Sequence, residues 1–191
     1  MVRALVLAAI ASFSASLATA AERDQREACE ALEPIIAAYA THAASGEALN
    51  FSAGQALPIR DWDNAATLTQ ASGWHRSAPS AETIRRLSEV TPANAMACPN
   101  FARQASVLGR VLTDDQRQAV YRSRGGAPRA RVQVVTMPVI DKSGQEGLVK
   151  VRVQRNGLGQ VENLYYLRKT KTGWRISGER ETPPQDLRPL G

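Results

Sequence analysis

After Gly126 the chain changes from helical to strand composition, and the turns that follow leave few topologies open. The run Ala-Arg-Val-Gln-Val-Val-Thr-Met-Pro-Val-Ile-Asp, ending at Asp141, is rich in β-branched residues, with Pro138 restricting it to an edge or a bulge. Asp141-Lys142-Ser143-Gly144 is a turn into a second run, Gly147 to Arg155. Asn156-Gly157-Leu158-Gly159 leads into a third, Gln160 to Lys169, and the stretch Thr170 to Gly173 leads into a fourth, Trp174 to Ser177. Four strands joined by tight turns predict an antiparallel meander over residues 129–178. The tail after it, 179–191, carries Pro183-Pro184 and scattered charge, and is expected to be irregular.

Such a meander needs a cover, and residues 22–126 read as helical. Pro34 divides an Ala-rich stretch so that a helix starts near Glu33 and stops at Gly46, with Ile35, Tyr39 and His42 on one stripe. His42 has no second ligand at helical spacing and reads as a core-edge histidine. Ser80 is the predicted N-cap of a helix that ends before Pro92, and Cys98 to Leu112 is a further apolar segment. Thr113 and Gln116 stand in capping-box spacing ahead of a helix that stops at Gly125-Gly126. Leu49 to Trp74 is turn-rich, with one short extended candidate at Ala56 to Ile59. The expected fold is a single α+β domain over 21–178, its N-terminal helical half packed on a C-terminal four-stranded antiparallel meander.

The compartment follows from the other end. Residues 1–20 hold one charge, Arg3, then an apolar run too short to span a bilayer, and close on Ala18-Thr19-Ala20. This is the layout of a cleaved signal peptide, so a periplasmic or secreted protein with no transmembrane segment after its removal is expected. In an oxidising compartment the two cysteines, Cys29 and Cys98, predict one disulfide. No Cys-x-x-Cys and no ligand cluster supports a redox or metal site, and no cofactor is expected.

Strand alternation then predicts which residues share a face. A loop of two or four residues at Asn156-Gly157 groups Val149, Val151 and Val153 with Leu164 and Tyr166. The last turn groups Tyr165, Leu167, Trp174 and Ile176 on the other face, and sets Arg168 directly opposite Arg175, beside Tyr166. Facing like charges are unfavourable unless solvent, a carboxylate or an anionic ligand offsets them. Arg168, Arg175 and Tyr166 are therefore the candidate binding residues, and a solvated edge that discourages aggregation is the competing account.

The segment Met137 to Gln154, followed by Tyr165 to Ser177, resembles the C-terminal meander of small uncharacterised secreted bacterial α+β proteins. It is also similar to the closing strands of the nuclear transport factor 2-like fold. The resemblance covers residues 131–178 and brings no catalytic residue with it. The helical half departs from the nuclear transport factor pattern, which would intersperse strands earlier.

For catalysis the candidates are Asp61 and Asp63, flanking Trp62, with His75 further on. A carboxylate and a histidine suffice for acid–base chemistry if they meet. Two acids at i and i+2 point apart on a strand, however, and in a turn they cap backbone groups. No serine-hydrolase elbow, zinc-protease or phosphate-loop motif occurs. The net charge of +6 is spread along the chain, with no basic recognition helix, so nucleic acid is not an expected partner. The expectation is an exported binding or envelope-maintenance module, with an anionic small molecule or envelope polymer as partner. The alternative is a small periplasmic hydrolase using an Asp/His site.

Overall fold

The computed structural model describes residues 22–46, 48–54, 68, 73–122, 131–155 and 159–185. The chain is helical over 22–30 (α1) and again from Glu33 to Ala44 (α2), where Pro34 stands in the first turn. Then come β1 (Leu49–Ser52), β2 (His75–Arg76), α3 (Ala81–Glu89), α4 (Pro99–Leu108), β3 (Gly109–Leu112) and α5 (Asp114–Arg122). The strand-rich half follows as β4 (Arg131–Val135), β5 (Val139–Ile140), β6 (Glu146–Arg155), β7 (Gly159–Thr170) and β8 (Gly173–Gln185).

The fold is α+β, but its sheet is not a simple four-stranded meander. Eight strands form one mixed sheet in the order β2-β8-β7-β6-β4-β1-β3, with β5 paired to β6 beside β4. Strand β1 runs parallel to both neighbours, β3 and β4; the other pairings are antiparallel. The half expected to be helical thus contributes β1, β2 and β3. Strand β8 continues to Gln185, past the point where the Pro-Pro pair predicts an irregular tail. Pairing with β7 as far as Gln160↔Gln185 supplies the hydrogen bonds that composition alone does not foresee. The extended candidate at Ala56 to Ile59 lies outside the described residues.

Local signals held where capping chemistry was involved. Ser80 Oγ accepts from the Thr83 amide. Thr113 and Gln116 exchange both capping-box bonds, Gln116 Oε1 accepting from the Thr113 amide at 3.0 Å and Thr113 Oγ1 from the Gln116 amide at 3.3 Å. Pro138 splits the first expected strand into β4 and β5, and the Met137 amide, at that break, donates to Ala93 O. Gly173, at a φ of 118°, closes the last hairpin in a conformation that suits glycine.

The β6–β7 register corrects the expected faces. Arg155 pairs with Gly159, so three residues join the strands, and an odd loop inverts the parity. Val149 lies opposite Tyr165 and Val151 opposite Asn163, while Leu148 lies opposite Tyr166 and Lys150 opposite Leu164. One face therefore carries Val149, Val151 and Leu167, with Val153, Tyr165, Trp174 and Ile176 partly buried against the same cluster. Helices α1, α2 and α4 and the turn between the first two cover it with Cys29, Leu32, Ile35, Tyr39 and Phe101. Cys29 and Cys98 form the expected disulfide, with Cα atoms 5.5 Å apart, tying α1 to the start of α4. The opposite face carries a smaller apolar cluster, Leu148, Leu164, Tyr166 and Val139, under Ile84 and Leu87 of α3, with Leu68 and Trp74.

Candidate functional site

The register does set Arg168 opposite Arg175, as the sequence predicts. Both are exposed, and among the described residues neither guanidinium makes a hydrogen bond or an ion pair. On its other side Arg168 lies opposite Glu146 of β6. That carboxylate is committed elsewhere. Its Oε1 accepts from the Tyr166 hydroxyl at 2.7 Å, and its Oε2 from the Ser80 amide at 3.0 Å and the Thr83 hydroxyl at 2.8 Å. Glu146 thus sits at the N-terminus of α3, where backbone donors and the helix dipole favour negative charge. Burial opposes its ionisation, but the hydrogen bonds from Tyr166, Ser80 and Thr83 outweigh it and hold the carboxyl at about 2.

Tyr166 does not join the arginines as a ligand-facing group. It is buried, its ring meets Trp74 edge-on, and its hydroxyl is given to Glu146. Burial first, and then the Glu146 carboxylate, push its own phenol well above the usual tyrosine range. What remains for a ligand is the exposed guanidinium pair at one end of the sheet. Lys171 and Lys142, both exposed, stand in the turns at the same end. Lys169 is different: its Nζ bonds Glu27 Oε1 at 2.5 Å and lies 5.7 Å from the Trp174 ring centroid, so it anchors the hairpin to α1.

Asp61 and Asp63 lie outside the described residues. His75 is exposed in β2, opposite Glu179 of β8. It borders a cavity of about 380 Å³ with Gly73, Asn163, Arg180 and Glu181. Asn163, one of its lining residues, has a buried Oδ1 with no hydrogen-bond partner among the described residues. Next to it the Tyr165 phenol is raised by burial first and by Glu179 and Glu181 second. Arg76, just after His75, has a φ of 77°. The chain there crosses β8 so closely that a Cβ on Gly178 would sit 1.9 Å from Ser77 O. His42 is exposed near the end of α2. Among the described residues no group of three or more His, Cys, Asp or Glu could hold a metal ion.

A third cluster escaped the sequence reading. Lys150, Arg152 and Glu162 are all buried on the face that carries Leu148 and Tyr166, at the far end from the hairpin. Lys150 Nζ lies 3.3 Å from Glu162 Oε2, and Arg152 Nε donates to Glu162 Oε1 at 2.5 Å. Gln154 and Gln160, register partners, are buried beyond them. The signal was available as alternation: once the parity is known, Lys150, Arg152 and Gln154 fall on the face opposite the valines.

No family model matches the chain, and neither a curated protein nor a solved structure matches it. Among the described residues no helix is long and apolar enough to cross a membrane.

Proposed function

We propose that this protein is an exported binding or envelope-maintenance module, periplasmic or secreted, that takes an anionic small molecule or envelope polymer on the basic end of its sheet. One observation carries the reading: Arg168 and Arg175 face each other without a bonded carboxylate, while Glu146, across from Arg168, is already held by Tyr166, Ser80 and Thr83. Two facing guanidinium groups repel, and an anion between them relieves that repulsion. The disulfide is compatible with an oxidising compartment. Thermal unfolding at low salt tests the site. Phosphate or poly-glutamate should raise the Tm in a concentration-dependent way, and Arg168→Gln with Arg175→Gln should abolish the rise. A Tm indifferent to every anion tried would return the pair to a solvated edge.

The hydrolase alternative keeps one supporting observation, the placement of His75 opposite Glu179 beside a cavity. An imidazole next to a carboxylate is the minimum for general-base activation of water. A hydrolase screen in which His75→Ala removes turnover without unfolding the protein would establish it, and turnover that survives His75→Ala would dismiss it.

A further inference from the structure

A cavity of about 680 Å³ opens at the β5 edge, where α1, the C-terminal end of α3 and the Asp141–Gly144 turn converge. Its size falls in the range of about 300–1,000 Å³ common for small-molecule sites. Much of the lining is apolar, supplied by Pro92, Met137, Pro138, Val139 and Ile140, with Val90 39% exposed at the same place. Large aliphatic side chains left in contact with water beside a concave surface mark a binding surface more often than chance.

The charged lining is asymmetric in what it has left to offer. Glu27 is bonded to Lys169, and Asp141 holds the turn by accepting from the Gln145 and Glu146 amides and the Ser143 hydroxyl. Only Asp24, exposed in α1, is an uncommitted acid. Against it stand three cations, Arg23, Arg86 and Lys142, none of which makes a hydrogen bond or ion pair among the described residues. Arg86 is the informative one. Its Nε is shielded from solvent and has no hydrogen-bond partner, whereas the neighbouring Arg85 is paired with Glu89. A dry, unbonded guanidinium N–H gives up its hydration for nothing unless something else accepts from it.

We propose that this cavity binds a single-chain anionic amphiphile, its hydrocarbon chain on the apolar lining and its carboxylate or phosphate head hydrogen-bonded by Arg86, with Lys142 and Arg23 adding charge. An inorganic anion would leave the apolar lining wet, and a neutral alcohol would offer Arg86 an acceptor without the charge that makes such a bond strong. The site is separate from the hairpin arginines and does not rest on them.

Isothermal titration of the exported, purified protein with decanoate and with decyl phosphate, both below their micellar concentrations, tests the assignment. Decanol and acetate serve as the tail-only and head-only controls. One equivalent of a decyl anion should bind, with decanol and acetate at least tenfold weaker, and the preferred head group tells a fatty acid from a phosphorylated lipid. Arg86→Met should weaken that binding at least tenfold. Val90→Glu, at a partly exposed position, should do the same by repulsion. Arg168→Gln with Arg175→Gln should leave it unchanged. Failure of both decyl anions to bind, equal binding of decanol, or undiminished binding by Arg86→Met and Val90→Glu overturns the proposal.

Discussion

The two faces of strands β6 and β7 obey the same alternation and yet are built on different chemistry. The face under α1, α2 and α4 is mainly hydrocarbon, with Tyr39, Phe51 and Phe101 in successive edge-on contacts at 5.2 and 6.2 Å, the disulfide at its margin, and buried Gln133 accepting from the Tyr39 hydroxyl. The other face carries its apolar cluster near the hairpin, and from the level of Leu164 onward Lys150, Arg152, Glu162 and two glutamines are buried there beside Val132 and Val134 of β4. Hydrocarbon packing gains from every buried methylene. Buried charge at best offsets its own desolvation, and it punishes the loss of either partner. The first face therefore supplies stability, and the second makes the register costly to shift.

The largest effects should come from the hydrocarbon face. Phe51, buried and in contact with two other rings, should lose about 3–5 kcal/mol on change to Ala, read by urea unfolding. Removing the bridge, Cys29→Ser with Cys98→Ser, should cost about 4 kcal/mol, because the sequence separation of 69 closes a long loop in the unfolded chain. Alkylation of the folded, non-reduced protein should find no free thiol. Two reactive thiols would remove the bridge from the comparison altogether.

On the charged face a different pattern is expected. Glu162→Gln leaves Lys150 and Arg152 buried beside a neutral amide and should cost about 3–5 kcal/mol. The triple change Lys150→Met, Arg152→Met and Glu162→Leu should recover most of that loss, since none of these three side chains is then charged. Equal destabilisation by the single and triple variants would mean that the cluster packs like hydrocarbon, and the contrast between the faces would collapse.

How much of this was legible follows the range of each signal. Caps at Ser80 and Thr113, the breaks at Pro34 and Pro138 and the Cys29–Cys98 pairing depend on neighbouring residues or on elimination, and they were read from the sequence. Strands β1 and β3 were not. Each is four residues long, too short to show a period, and β1 sits between two parallel neighbours, where both faces are buried and alternation fades. The face assignment failed on a single quantity, the parity of the loop after Arg155. That one residue moved Leu164 and Tyr166 away from the valines and hid the buried charge. Arg168 opposite Arg175 survived because its register depends only on the tight Lys171-Thr172 turn.

Where the apolar end of the mixed face meets the hairpin, Glu146 gives an effect of middle size with a sign fixed by pH. Its carboxyl lies at about 2 in the fold against an ordinary 4.5. A lowered folded value contributes stability that is present above pH 4.5 and lost as the pH falls from there towards 2. The contribution should be about 1–2 kcal/mol, less than the full linkage value because the group is partly solvated. Tyr166→Phe removes one donor while keeping the ring against Trp74, so the acid limb of a Tm-against-pH profile should become shallower. An unchanged acid limb would show that Glu146 is held by Ser80 and Thr83 alone.

The smallest effect falls at the exposed arginines, and it separates a solvated edge from a ligand site. Arg168 and Arg175 repel across the hairpin, so Arg168→Gln with Arg175→Gln should leave anion-free stability unchanged or raise it by a few tenths of a kcal/mol. The same variant should abolish any rise in Tm with phosphate. Both results together require that the charge pair be kept at a small cost to the fold and used by a ligand. A gain in stability with no phosphate effect in the parent protein would leave edge protection as their role, because exposed cations on a hairpin discourage strand addition without any partner. A clear loss would mean that the guanidinium stems pack on the sheet, and Arg168→Met with Arg175→Met should then restore the parent stability.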